Sequence, residues 1–207
     1  AMPNGKRIAL LKSLQTSACE RNCYYCCFRA GRDFHRQTFQ PDELAQTFLA
    51  LVKAKVAEGI FLSSGVAGGG VRTQDRLLAT AEVLRQKMGY KGYLHLKLMP
   101  GVERDQVEQA MRLADRVSIN LEAPTDARLA QLAPMKIFMQ ELLQPLRWVE
   151  EIRRSQEAYK GWNGRWPSSV TQFVVGGAGE SDLELLQTTN WLHQNLHLAR
   201  AYFSGFN

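Results

Sequence analysis

Cys19, Cys23 and Cys26 have three and then two residues between them, and Cys27 follows directly. They are all four cysteines of the chain. Soft thiolates gathered this way suit zinc or an iron–sulfur cluster, whereas a disulfide framework belongs to small secreted domains. Structural zinc ordinarily takes four protein ligands, commonly from two knuckles, and a second knuckle is missing here. Cys27 is a poor fourth ligand because its side chain leaves the backbone in a different direction from that of Cys26, so it reads as a small packed residue. A cubane held by three cysteines leaves one iron open, which is what chemistry rather than structure requires. A zinc site and an electron-transfer cluster are the alternatives.

The same stretch carries charge. Residues 1–36 hold seven basic and two acidic side chains, so they supply +5 of the net +6. Lysine and arginine provide most nucleic-acid affinity, so contact with phosphates is one reading and compensation of the thiolates is the other. Arg29 and Arg32 are the candidates for either role.

Six β-type runs alternate with helical patterns: Ile8–Leu11, Ile60–Ser64, Tyr93–Leu98, Arg116–Leu121, Val170–Val175 and Ala199–Phe203. Alternation of this kind predicts an α/β fold with a parallel sheet, either open and doubly wound or curled into a barrel. Pro41 with Asp42 and Glu43 opens a helix that runs to Gly59. Further helices begin at Thr73 and around Val107, and Ser181 with Glu184 forms a capping box before another. The helical pattern from Ile137 to Tyr159 should kink or split at Pro145. In either architecture the functional face lies at the carboxyl ends of the strands, and the cysteines follow the first of them. Alternation also turns Ser118, Asn120 and Glu122 to one face, the interior of a barrel, and His95 and Lys97, between leucines, to the same lumen. A buried lysine seldom lacks a partner, so Lys97 either pairs with Glu122 or meets a ligand.

Cys-x3-Cys-x-aromatic-Cys, here Cys19, Cys23, Tyr25 and Cys26, resembles the signature of the radical S-adenosylmethionine (radical SAM) superfamily. That resemblance implies a partial (β/α)6 barrel with parallel strands, and a 4Fe-4S cluster on Cys19, Cys23 and Cys26. The open iron would chelate S-adenosylmethionine and cleave it reductively to a 5′-deoxyadenosyl radical for hydrogen abstraction. An external one-electron reductant such as flavodoxin or ferredoxin is implied as partner. On the same basis Tyr25 lies near the adenine, and Ser63, Ser64 and Gly65 stand where the family often has Gly-Gly-Glu, the glutamate being absent; Ala67–Gly70 keeps the backbone accessible. Ser118, Asn120 and Glu122 resemble the ribose-binding strand, Val174 to Glu180, with Gly176, the glycine-rich element, and Tyr202 marks the strand that packs on adenine. Lys136 is placed to hold the cofactor carboxylate. His95, Lys97 and Gln172 are left for the substrate side.

A finer resemblance rests on Leu10-Leu11-Lys12, Phe61–Gly65, His95-Leu96-Lys97 with Pro100-Gly101, Leu132–Lys136 and Thr171–Gly176. These are similar to the DNA modification/repair radical SAM proteins linked to uracil-DNA glycosylase. The resemblance implies nucleic acid or a nucleoside as substrate, although the helix-hairpin-helix elements common past the barrel are missing. A radical enzyme acting on a peptide or small metabolite, and a non-catalytic iron–sulfur or zinc module, are the competing readings.

The 207 residues, 45% hydrophobic and 22% charged, suit one soluble globular domain and exclude disordered, collagenous and coiled-coil classes. No window resembles a membrane span or a secretion signal, so the expected location is cytoplasmic. Ala1 before Met2 reads as a residue left by cloning. Soon after the sixth strand the chain stops, so the expected unit is a single radical SAM core, 1–207, lacking its final helix and any extension.

Overall fold

A computed structural model describes residues 8–206 of the chain. Ala1, Met2, Lys6 and Arg7 lie outside the described residues. Six strands, β1 (Leu10–Leu14), β2 (Gly59–Ser63), β3 (Tyr93–Lys97), β4 (Arg116–Ser118), β5 (Ser168–Val175) and β6 (Arg200–Gly205), form one sheet in sequence order. Every neighbouring pair is parallel. Between them run α1 (Pro41–Lys53), α2 (Gly70–Glu82), α3 (Arg104–Leu113), α4 (Asp126–Leu132), α5 (Gln144–Ser155) and α6 (Asp182–Leu196).

Strand order decides between the two architectures. A doubly wound sheet reverses direction once, whereas this one never does, so right-handed crossovers put every helix on the same face and curl the sheet. Residues from all six strands accordingly border one cavity of about 740 Å³ on the other face. The fold is a partial (β/α)6 barrel, open between its edge strands β1 and β6. Ile60, Leu62, Leu94, Leu96 and Val117 alternate with the cavity residues and are wholly buried with Leu44, Phe48, Leu77, Leu84, Val107 and Met111 of the helical layer. Each such side chain contributes about 1.5–3 kcal/mol on leaving water.

Local signals account for most boundaries. Pro41 starts α1, and the Gln40 N–H donates to Glu43 Oε2 at 3.2 Å. Ser181 and Glu184 cap α6 reciprocally, at 3.2 and 2.8 Å. Pro145 does not split the long helical pattern: it sits in the first turn of α5, directly after a π-helical stretch, Phe138–Leu143, and the backbone stays helical through Leu143 and Gln144, so only the winding changes there. The fourth strand is shorter than its sequence pattern. Thr171 Oγ1 accepts from the Leu121 N–H (3.1 Å) and donates to the Ile119 carbonyl (2.8 Å), so a side chain replaces the backbone ladder there. Pairing resumes at Glu122↔Phe173 after Ser118↔Val170, which leaves one extra residue on the β4 side, a bulge. Glu122 itself has φ +67°, a left-handed conformation costly for a residue other than glycine.

Arg85, in a π-helical stretch (Val83–Lys87) that continues α2, is a buried staple. Its guanidinium donates to the carbonyls of Leu113 (2.9 Å), Tyr90 and Gly92 (2.8 Å each) and to Asp115 Oδ2 (2.9 Å), and it lies 3.9 Å from the Trp162 ring centroid. No helix of the described residues is long and apolar enough to cross a membrane.

Candidate active site

The loop after β1 carries the cysteines and is tied down from both sides. The Glu20 N–H donates to the Val66 carbonyl (2.8 Å) and the Tyr24 N–H to that of Leu132 (2.9 Å). Arg36 gathers the loop from beneath, donating to the carbonyls of Ser17 (2.7 Å), Phe28 (2.8 Å), Arg29 (3.0 Å) and Arg32 (3.3 Å). Gly65 is needed for the approach of this loop to β2, since a Cβ there would stand 2.2 Å from the Ala18 carbonyl oxygen. Arg21 is drawn into an ion pair with Glu141 at 2.6 Å. Much of the local positive charge is thus structural, and Arg29 lies over the Tyr24 ring, 5.5 Å from its centroid; Arg32 stays exposed.

Cys19, Cys23 and Cys26 border one cavity of about 210 Å³, together with Tyr25, Ser63, Ser64, Gly65, Asn120, Glu122 and Lys136. Cys27 does not border it and is exposed, so it is not the small packed residue the sequence suggested; the turn after Cys26 sends it outward. Burial, with the neighbouring thiols Cys23, Cys27 and Cys19, pushes the Cys26 thiol up, while a hydrogen bond from the Phe28 backbone opposes this. Among the described residues no three His, Cys, Asp or Glu side chains are grouped around a single-ion position. A lone zinc needs its ligand atoms about 2.0–2.3 Å from one point, whereas a cluster takes each cysteine on a separate iron.

Beside the thiols lies a buried polar group. Lys136 Nζ donates to Glu122 Oε1 at 3.1 Å and to the Tyr25 hydroxyl at 2.9 Å. Burial opposes the Lys136 charge, but Glu122 and the cysteines outweigh it and hold its pKa up. Burial and the Glu122 carboxylate push the Tyr25 phenol up as well. Glu122 therefore pairs with Lys136 and not with Lys97, as the strand pattern had suggested. Lys97 Nζ donates instead to Asn120 Oδ1. With only a neutral partner, Lys97 is pushed down to about 7, first by burial and then by Lys136 and Lys12, Glu122 compensating in part. His95 Nε2 is 2.8 Å from Ser118 Oγ and its ring stacks on Phe61, centroids 4.2 Å apart. Burial and the nearby cations push it down to about 3, so it is neutral around pH 7.

Three atoms of residues in the cysteine cavity's wall are buried without a partner, the acceptors Ser64 Oγ and Glu122 Oε2 and the donor Arg21 Nε. Unsatisfied acceptors beside three thiols fit a cationic group bound next to a cluster. The remaining sequence-derived candidates divide. His95, Lys97, Gln172 and Ser118 border the 740 Å³ lumen, and so does Tyr202. Ser63, Lys97 and Asn120 border both cavities, which therefore adjoin. Gly176 borders neither: its N–H and that of Ala178 are taken by the Glu180 carboxylate, the latter at 3.0 Å. Nor is the Ala67–Gly70 backbone accessible as expected. The N–H groups of Gly68 and Gly69 donate to Glu20 at 3.0 and 3.2 Å, and a Cβ on Gly70 would stand 2.0 Å from the Pro100 carbonyl oxygen. Sequence reasoning missed Lys12, Phe61, Arg116 and Arg200 of the lumen wall; the period-2 alternation that selected His95 and Lys97 would have found them.

A model of the Radical SAM superfamily matches residues 14–192. Among solved structures, the FeFe-hydrogenase maturase HydG from Carboxydothermus hydrogenoformans superposes with a TM-score of 0.74 at 15% identity, covering 98% of this chain and 46% of that one. Methylornithine synthase (PylB) gives 0.72 at 12%, covering 97% and 54%. SuiB from Streptococcus suis, solved bound to S-adenosylmethionine, gives 0.66 at 10%, covering 97% and 41%. The chain thus spans about half the length of these proteins, and the likeness at such identities is one of fold. No curated protein matches the sequence.

Proposed function

The chain belongs to the radical SAM superfamily of enzymes, which use a 4Fe-4S cluster and S-adenosylmethionine, and from that membership we propose that it cleaves S-adenosylmethionine reductively to abstract hydrogen from a substrate in the lumen. The observation that carries the reading is the gathering of Cys19, Cys23 and Cys26 on a cavity that adjoins the lumen at Ser63, Lys97 and Asn120. When bound, the two groups supply one-electron bond cleavage and hydrogen abstraction, the electron coming from an external donor such as flavodoxin or ferredoxin.

The three cysteines would hold the cluster. Ser64 Oγ and Glu122 Oε2 supply acceptors for the cofactor's amino group, and Lys136 keeps a third N–H for its carboxylate. Tyr25, clamped by Lys136, walls the same cavity. On the lumen side the neutral His95 ring exchanges a hydrogen bond with Ser118, and Lys97, with its pKa at about 7, can hold or release a proton at Nζ near neutrality. Gln172 offers an amide to the same space. The finer resemblance, supported by motifs along most of residues 8–204, points to nucleic acid or a nucleoside as substrate.

Cys23→Ala should abolish cluster assembly, read as loss of iron and of the broad brown absorption after anaerobic reconstitution. A variant that keeps both would sink the reading. Reduced wild-type protein given S-adenosylmethionine should yield 5′-deoxyadenosine; none at all would favour a non-catalytic module.

A further inference from the structure

Four cations face the lumen: Lys12, Lys97, Arg116 and Arg200. Among the described residues no aspartate or glutamate borders that cavity. None of the four forms an ion pair among the described residues. Their partners are neutral: Asn120 for Lys97, Ser168 Oγ at 3.0 Å from Arg116 Nε, the Phe61 ring for Lys12 and the Tyr202 ring for Arg200, both 5.7 Å to the centroid. Strand register sets them in two rows. Lys12, Phe61, His95 and Arg116 are successive partners across β1 to β4; Lys97, Ser118, Val170 and Arg200 are successive partners across β3 to β6.

Like charges turned toward one cavity with no carboxylate repel one another, and a fold with 20 acidic residues elsewhere had the means to neutralise them. The depression of His95 and Lys97, partly by these neighbours, is the same repulsion seen at two titratable groups. A ligand bearing the opposite charge removes it. We propose that the lumen takes a substrate carrying two or more negative charges, of the kind found on phosphate esters and polycarboxylates, with Arg116 and Arg200 as the forked donors and Lys12 and Lys97 as point charges. This rests on reading the lumen as the substrate cavity of the proposed enzyme. Its volume, about 740 Å³, suits a small molecule or the end of a longer one.

The test is equilibrium binding to the full chain reconstituted with its cluster, the brown absorption being followed separately in the same sample. The probes are thymidine 5′-monophosphate, uncharged thymidine, and citrate. Charge-assisted hydrogen bonds are stronger than neutral ones, so a charged probe should bind at least about tenfold tighter than thymidine and lose that advantage as salt is raised. Arg116→Gln and Lys12→Gln, each checked for an unchanged thermal midpoint, should each weaken that binding by about tenfold. Preference for the monophosphate assigns a phosphate ester, and preference for citrate a polycarboxylate. Equal binding of thymidine and its monophosphate with no citrate binding, or variants that bind as wild type does, would overturn the proposal. Anion binding in a sample that never acquires the brown absorption would overturn the proposed function and leave this inference standing.

Discussion

Glu122 stands near two lysines and neutralises one. Its carboxylate bonds Lys136, whose side chain is only 9% exposed, and leaves Lys97 to the neutral Asn120. That asymmetry makes Lys97 a group whose pKa falls from the ordinary 10.5 to about 7 on folding. Between those values the unfolded chain binds the proton that the folded chain releases, so Lys97 opposes folding. The opposition is absent above 10.5, grows as pH falls to about 7, and is constant below that. Lys97→Met should therefore melt higher than wild type at pH 6, by about 2–4 °C for each kcal/mol gained, with the difference gone at pH 11. A difference independent of pH would show that the amine is well solvated. The thiol motif was legible because its residues are close in sequence and its spacing is itself the signal. The partner of Glu122 was not: Lys136 reaches the site only because α4 turns the chain back, and α4 announces itself with little more than the Thr125 cap on Arg128, 3.3 Å.

At the level of elements, strands and helices were readable wherever alternation continued undisturbed, and three of the six strands, β2, β3 and β5, end within a residue of their sequence pattern. β4 was misjudged because Thr171, a residue of the neighbouring strand, interrupts its ladder, and nothing in residues 116–121 encodes that. The Arg85 staple is equally non-local. It joins the π-helical stretch after α2 to the turn before β3 and to the start of β4, where Asp115 also accepts from the Leu94 N–H at 2.9 Å. Arg85→Ala would leave Asp115, 13% exposed, without its cation and three carbonyls without a donor. The expected loss is about 3–5 kcal/mol in chemical denaturation, the cost of breaking a buried pair from one side. A loss below about 1 kcal/mol would mean that water takes over the role of the guanidinium.

For the molecule as a whole, winding direction is the decisive property. Six strands in sequence order give one face to helices and the other to a lumen, so every inward side chain shares a single space with the cysteine cavity beside it. Composition could report a net charge of +6 but not its geometry; only the curl of the sheet brings lysines and arginines from β1, β3, β4 and β6 to face one another. Curling without closing has a colloidal consequence. The outer edge of β6 has no neighbouring strand among the described residues, and Phe203 and Phe206 beside it are 52% and 41% exposed. Such an edge is a template for a second copy's strand, so light scattering should rise with protein concentration faster than a monomer allows. Ser204→Lys, a charge on that strand, should flatten the rise while leaving the melting temperature within a few degrees. A concentration series that is already flat for the wild-type chain would show that the twist of β6 shields its own edge.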